Sequence, residues 1–324
     1  MPERATTHRA TTHRATTDQA TTDQATTATV EVIEGRTTRV GGLPVRRVLP
    51  TRGRRTIGAW CFVDHMGPTP AGPDTSVAPH PHIGLQTVTW LFEGAVLHRD
   101  SLGSEQLIRP GQLNLMTAGH GVVHAEEDPG GPSTELHGLQ LWVAQPAATR
   151  DGDAAFEHHA ELPRVDVDGA TATVLVGCFA DASSPARRDT DHVGVELALR
   201  PGTSSLPLDP AYEYGLVAVD GPVVVDGSLL PTGAVAYLPV GADELGLAVD
   251  RPTRALLIGG VPFAEEVRMW WNFVARSHEE LTAAWRDWSA AADRFPPVAS
   301  GLPRIEVGAP PWSRDADAPG RTTP

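Results

Sequence analysis

From about position 30 onwards, short runs rich in Val, Leu and Ile alternate with Gly, Pro and Asp. The runs recur about every 8–15 residues, which is typical of strands and tight turns in an all-β sandwich or barrel. The clearest predicted strands are 88–92, 106–108, 138–143, 173–176, 193–199, 215–219, 223–225 and 255–258. The pattern therefore predicts an all-β fold.

One segment near the C-terminus has helical rather than strand periodicity. Ser277 is a good N-cap, and Glu280 stands three residues later, which is the spacing of a capping box. Apolar residues then follow at helical spacing: Leu281, Ala284, Trp285 and Trp288. The sequence predicts a short C-terminal helix. We expect four tryptophans to pack this helix: Trp285 and Trp288 within it, and Trp270 and Trp271 upstream of it.

The chain of 324 residues is long enough for two domains of about 150 residues each. Residues 5–27 repeat ATTHR and ATTDQ, contain no large apolar side chain, and cannot offset the entropy of ordering. We therefore predict a disordered Thr-rich segment over 1–29 and a first β domain over 30–150. A polar linker over 151–165, a second β domain over 166–292 and a Pro-rich tail over 293–324 complete the organisation.

Composition narrows the possible partners and compartments. The chain has 26 Lys and Arg against 40 Asp and Glu, a net charge of −14, which disfavours direct nucleic-acid binding. Its two cysteines, Cys61 and Cys178, fit no disulfide framework or CxxC motif. No apolar stretch is long enough to cross a membrane, and the first residues lack the apolar core of a secretory signal. We expect a cytoplasmic monomer.

Histidines cluster in the first predicted domain, where seven of the thirteen lie between positions 65 and 137. Two pairs stand out: His80 with His82, and His124 with Glu126. Residues i and i+2 of a strand point to the same face, so each pair projects together. Three imidazoles and one carboxylate suit a divalent Fe, Mn, Ni, Cu or Zn ion. A lone HxH pair is better explained by exposed loop histidines beside prolines. The second pair makes a metal site about as good an explanation, and spacing alone does not decide between the two.

Longer motifs around these pairs resemble the N-terminal cupin domain of the pirin family. The matching stretches are PHPHIGLQTVTWLFEG, LHRDSLG, IRPGQLNLMTAGHGVVHAEE and LHGLQLWV, with RRVLPTRGRRTIGAWCFVDHMGP upstream and MWWNFVARSHEEL downstream. The resemblance covers roughly residues 43–290. It implies two cupin (jelly-roll) β-barrels packed together, with one metal ion, usually iron, in the first barrel only.

Carried over residue by residue, the resemblance implies the metal ligands His80, His82, His124 and Glu126. The usual first cupin motif, HxHxxxE, has Gln86 in place of its carboxylate, and we expect the amide to hydrogen-bond near the site. His98 either lines the mouth of the pocket or occupies a surface position on a strand. His120 lies between two glycines, which favours a turn over a position beside the ligands. We expect structural roles for Asp64, His65, Trp90, His137 and Trp142, whereas His192 and His278 are isolated in the second domain, where we expect no metal.

Four protein ligands leave two neighbouring positions on a six-coordinate metal, which suits a small-molecule substrate together with dioxygen. The resemblance implies a dioxygenase of the quercetin 2,3-dioxygenase type, acting on a flavonol-like or enolic substrate with Fe(II). Glu126 would then be both ligand and candidate base. The alternative is a non-enzymatic, iron-binding, redox-sensitive regulator that binds a transcription factor or metabolic enzyme. A third interpretation, a barrel merely stabilised by metal, fits a site with open positions poorly.

Overall fold

The computed structural model of the protein describes residues 30–131 and 135–313. The predicted disordered segment 1–29 and positions 314–324 of the predicted tail lie outside the described residues. Within them, nearly all regular structure is antiparallel β-sheet, and one α-helix, His278–Ser289, follows the last strands. The predicted all-β fold of two cupin barrels with a short C-terminal helix is confirmed.

The first barrel is built from a seven-stranded and a four-stranded sheet. In spatial order the larger sheet contains Ala155–His159, Leu113–Thr117, Leu85–Glu93, Glu135–Ala144, Trp60–Pro70, Leu43–Leu49 and Arg36–Val40. The smaller sheet contains Val77–His82, Val122–Glu127, Val96–Asp100 and Glu105–Ile108. The polar segment predicted as a linker therefore includes an edge strand, whose partly buried positions accommodate its polar residues.

The second barrel has the same plan, and its interior is filled with apolar side chains. Its seven-stranded sheet contains Glu31–Glu34, Ala234–Leu238, Glu213–Ala218, Thr253–Gly260, His192–Leu199, Ala170–Val176 and Arg164–Val167. Its four-stranded sheet contains Gly202–Pro207, Glu244–Val249, Val223–Val225 and Ser228–Leu230. Two short hairpins complete the strands: Cys178–Phe179 with Ala182–Ser183, and Arg268–Trp270 with Phe273–Ala275.

The two barrels are joined through a shared apolar interface and through the first strand of the described chain, which pairs with the second barrel. The strand Glu31–Glu34 pairs with Ala234–Leu238 of the second barrel, although sequence analysis had placed residues from 30 onwards in the first domain. At the interface, the Trp60 indole N–H donates to the Val193 carbonyl at 3.0 Å. Because Leu85–Glu93 lines the first barrel on one face and packs on the second with the other, all but its last residue are buried.

After the second barrel, the chain returns to the first. The hairpin Arg268–Ala275 bridges to Ile83, and the helix begins at the predicted N-cap, where Ser277 Oγ accepts from the Glu280 N–H at 3.2 Å. The Pro-rich tail then crosses the helix and the first barrel. The Trp288 indole donates to the Ile305 carbonyl at 3.0 Å, and the Ile305 N–H donates to the Pro79 carbonyl at 2.8 Å.

Candidate metal centre

Two neighbouring strands bring three of the four predicted ligands, His80, His82 and His124, into one cluster. Val77–His82 runs antiparallel to Val122–Glu127, and His80 lies directly opposite His124 in the register. Strand alternation turns His82 to the same face as His80. One ring nitrogen from each of His80, His82 and His124 lies within 4.8 Å of the others, and all three side chains are buried. This cluster could hold one metal ion.

The hydrogen bonds behind two of these rings fix which nitrogen faces the centre. His80 Nδ1 lies 2.8 Å from the Ala78 carbonyl, and His82 Nδ1 lies 2.9 Å from the Asn272 carbonyl. A carbonyl only accepts, so both Nδ1 atoms carry the hydrogen and both Nε2 atoms present a lone pair. Burial lowers the pKa of His80 to about 4 and also lowers the pKa of His82, so both rings are neutral at pH 7. Neutral, pre-oriented imidazoles are what a metal ion requires.

His124 is oriented by a chain of two further side chains. Its Nε2 lies 3.1 Å from His82 Nε2, and its Nδ1 lies 3.5 Å from Nδ1 of the buried His98. His98 Nε2 in turn lies 3.1 Å from a carboxylate oxygen of Asp100, whose other oxygen accepts from the Leu102 and Ser104 N–H groups. Burial raises the pKa of Asp100, but the hydrogen bonds from His98 and Ser104 outweigh it and lower that pKa. Asp100 is thus an ionised acceptor at the end of the chain.

Glu126 lines the same cavity from further along its strand. The strand register shifts between His124 and Glu126, so the carboxylate is displaced from a regular i, i+2 position. The Thr89 hydroxyl lies 3.2 Å from Glu126 Oε1 and 3.0 Å from the Gln140 amide oxygen, so these two oxygens share its one hydrogen as acceptors. Burial raises the pKa of Glu126, while nearby His98 and the Thr89 bond oppose the rise.

These side chains face a cavity of about 550 Å³, within the range of about 300–1,000 Å³ usual for small-molecule sites. It is lined by Arg39, Val40, Gly41, Arg47, Phe62, Val77, His80, His82, His124, Glu126, Gln140, Trp142, Trp271, Asn272 and Ile305. Phe62 and Trp142 stack with ring centroids 3.9 Å apart, and Trp142 meets His82 edge-on. Trp142 thus lines the cavity rather than the core alone, and alternation along its strand places it on the same face as Gln140.

A rigid cation forms part of the cavity wall. Arg47 donates from Nε and Nη2 to the two oxygens of the buried Asp64, at 2.8 and 2.7 Å, and its guanidinium lies 4.2 Å from the Phe62 ring centre. Burial raises the pKa of Asp64, and the Arg47 bonds act against the rise. Two of the three guanidinium nitrogens are therefore committed to Asp64, and Nη1 is left outside that pair.

Two residues expected near the site lie elsewhere. Gln86 shares a strand face with Val88 and Trp90, which pack towards the second barrel, and its amide donates to the Thr117 hydroxyl at 3.0 Å. His120 is exposed on a turn, where its carbonyl accepts from Arg294. His98, in contrast, lies directly behind His124.

The remaining histidines serve contacts outside the cavity. His65 Nε2 lies 2.8 Å from His137 Nε2, His192 meets Trp60 edge-on at the barrel interface, and His278 stacks on Trp312. Trp90 is buried at the interface between the barrels. Among the described helices, none has the length and apolar character needed to cross a membrane.

Family models match both barrels. The pirin model matches residues 42–143, and the model of the pirin C-terminal cupin domain matches residues 194–295. A relative from Pseudomonas aeruginosa, which carries the provisional name quercetin 2,3-dioxygenase, is 46% identical over 281 residues, 86% of this chain and 89% of the relative. A pirin-like protein of Caulobacter vibrioides is 36% identical over 280 residues, 83% of this chain and 96% of the relative.

Solved structures show the same architecture. A quercetin 2,3-dioxygenase of Acinetobacter baumannii is 43% identical and superimposes with a TM-score of 0.84, covering 87% of this chain and 96% of that one. The Escherichia coli pirin YhhW, solved with nickel(II), is 19% identical with a TM-score of 0.57, covers 72% of this chain and 100% of that one, and shows the fold alone. With both domain models matched in order and close relatives along most of its length, the chain belongs to the pirin family.

Proposed function

We propose that this protein is a metal-dependent dioxygenase of the quercetin 2,3-dioxygenase type, acting on a flavonol-like or enolic substrate. The observation that carries the proposal is a cavity of about 550 Å³ directly over the three imidazoles. A regulator that needs only a bound metal requires no such space. The names of the Pseudomonas aeruginosa and Acinetobacter baumannii relatives support the same reaction class.

We propose that His80, His82, His124 and Glu126 hold one divalent metal ion per chain, Fe(II) first, with Mn, Ni, Cu or Zn as other ions that this donor set accepts. The fit rests on two neutral, buried rings whose Nδ1–H groups are bound to carbonyls, leaving Nε2 lone pairs at the centre. A metal ion bound there would supply Lewis acidity and, if it is iron, one-electron redox chemistry.

The side chains around the imidazoles would accept a proton from the substrate and shape the cavity that holds it. Glu126 would accept the proton of the substrate's enolic hydroxyl, with the Thr89 hydroxyl holding its Oε1 in place. The stacked Phe62 and Trp142 rings give the cavity a flat apolar wall, suited to an aromatic substrate and to the exclusion of water. Trp271 and Ile305 close the cavity from the returning C-terminal segment.

The test begins with anaerobic purification and metal analysis, followed at once by oxygen uptake with quercetin. We expect one metal per chain and quercetin-dependent uptake, both lost in His82→Ala while the circular dichroism spectrum is unchanged. His120→Ala, which removes an exposed histidine outside the cavity, is the matched control and should behave as wild type.

Two outcomes would redirect the proposal. One metal per chain without uptake, with any of the five metals, would contradict the dioxygenase and favour the redox-sensitive regulator. A folded protein that binds no metal would contradict the ligand assignment itself.

A further inference from the structure

All the basic residues of this acidic chain are arginines, and seven of them fall between positions 36 and 55, a stretch with no Asp or Glu. The net charge of the whole chain is −14, so the charge of this stretch is opposite in sign to that of the molecule. The segment forms the hairpin Arg36–Val40 and Leu43–Leu49 at the edge of the first barrel, with the loop that follows it.

Strand pairing places two of these arginines directly against each other. Arg36 faces Arg47 across the hairpin, and Arg47 faces Asp64 on the next strand, so the three form a row across three strands. The single carboxylate of the row is engaged by Arg47 through both of its oxygens. Like charges directly opposed in a sheet destabilise it, and an anion beside Arg36 and Arg47 would remove that repulsion.

The row borders a cleft of about 540 Å³. Arg47 lines both this cleft and the metal cavity, and the other residues that line the cleft do not line the cavity. The cleft is lined by Glu34, Arg36, Arg47, Pro50, Thr51, Arg52 and Arg55. Four arginines and one glutamate thus line the cleft, and one of the arginines, Arg47, is already paired with Asp64. Within the described residues, Arg36, Arg52 and Arg55 form no ion pair, and Arg47 is held rigid by Asp64 and Phe62.

We propose that this arginine cleft binds a small multivalent oxyanion, the chemistry of a phosphate or sulfate group. Guanidinium groups bind such oxygens in bidentate fashion, and a preformed group such as Arg47 loses little entropy on binding. The anion can come as a free ion or as a substituent of a molecule that also enters the metal cavity, because Arg47 lines both spaces. The binding itself does not depend on the reaction proposed above.

Isothermal titration of the metal-free full chain with pyrophosphate, at fixed ionic strength, tests the site. We expect saturable binding by wild type and at least tenfold weaker binding by Arg52→Ala/Arg55→Ala. The matched control is Arg109→Ala/Arg286→Ala, which removes two exposed arginines far along the chain and should bind as wild type. No binding by wild type, or equal affinity in all three proteins, would overturn the proposal.

Thermal melting supplies a second readout. In anion-free buffer Arg36→Ala should melt above wild type, since it removes the opposed charge, and it should lose the rise in melting temperature that pyrophosphate gives wild type. Melting below wild type, with the pyrophosphate rise retained, would contradict the proposed role of the row.

The source of the anion is decided by comparing quercetin with quercetin-5′-sulfonate as ligands of the metal-loaded protein. Tighter binding of the sulfonate that is lost in Arg52→Ala/Arg55→Ala indicates a substrate substituent. Equal binding of the two flavonols, with pyrophosphate binding intact, indicates a free anion.

Discussion

His98 stands behind His124 with their Nδ1 atoms 3.5 Å apart, and its other nitrogen lies 3.1 Å from Asp100. If His124 offers Nε2 to a metal ion, its Nδ1–H donates to His98, and His98 Nε2–H donates to the carboxylate. Every hydrogen in the chain then has an acceptor, so the imidazole is held in one tautomer and one orientation.

We expect Asp100→Asn and His98→Leu to weaken metal binding by about 10–100-fold, the usual effect of losing a partner behind a ligand. Competition against a chromogenic chelator measures this without any assay of catalysis. His120→Ala provides the baseline, because this exposed residue has no contact with the cluster. Unchanged metal affinity in both variants would show that the hydrogen-bond chain through His98 and Asp100 does not contribute to metal binding by His124.

Arg47 and Asp64 should be strongly coupled in stability. Arg47→Met leaves the buried Asp64 carboxylate without its bidentate partner, which we expect to cost about 3 kcal/mol of unfolding free energy. Asp64→Leu in the same chain should recover most of that loss, because no uncompensated charge then remains buried. Urea unfolding of both single variants and the double variant gives the coupling energy, and additive losses would disprove it.

The burial of His192 predicts that the protein loses folding stability as the pH falls. Burial lowers its pKa from 6.5 to about 4 in the folded protein, so between those values the unfolded chain binds a proton that the folded chain does not. The contribution of this group to stability is full above pH 6.5 and is lost as the pH falls towards about 4; it amounts to about 3 kcal/mol at most. His192→Gln should therefore lose less stability than wild type between pH 7 and pH 4. Parallel curves would contradict the assignment.

The hydroxyl of Thr89 should matter for turnover through Glu126. Thr89→Val removes the hydrogen bond to Oε1 and leaves the metal-facing imidazoles untouched, so we expect full metal content and about tenfold lower kcat with quercetin, less than the loss of a whole acid–base group. Thr87→Val, a buried threonine on the same strand, is the matched control. A shift in the pH–rate profile of Thr89→Val alone separates positioning of Glu126 from a general packing defect.

Local periodicity was enough to predict several strands, the helix cap at Ser277 and the shared face of His80 and His82, because each of these features depends on residues two to four positions apart. The convergence of His124 with His82 depends on the pairing of strands whose histidines are 42 positions apart, and the resemblance to the pirin family carried that prediction. Gln86 shows where comparison with the usual cupin motif stops. It stands at the carboxylate position of HxHxxxE, but its amide donates to Thr117 and it does not line the cavity. Gly84 has a φ of +65° and turns the chain between two strands, so Gln86 does not continue the alternation of His80 and His82.

The rest of the cavity could not be predicted, because it comes from distant parts of the chain. Arg47, Asn272 and Ile305 meet the imidazoles only after both barrels and the tail have docked. Their positions depend on tertiary packing, for which a single sequence carries no periodic signal.

The hydrogen bond from His82 Nδ1 to the Asn272 carbonyl spans 190 positions of the chain. A ribosome that has synthesised every strand of the first barrel, up to His159, has delivered all the imidazoles but not the carbonyl that orients one of them. The oriented cluster is therefore complete only when nearly the whole polypeptide has been made. A C-terminally truncated product that ends before Asn272 would keep the three imidazoles but lose the hydrogen bond that orients His82.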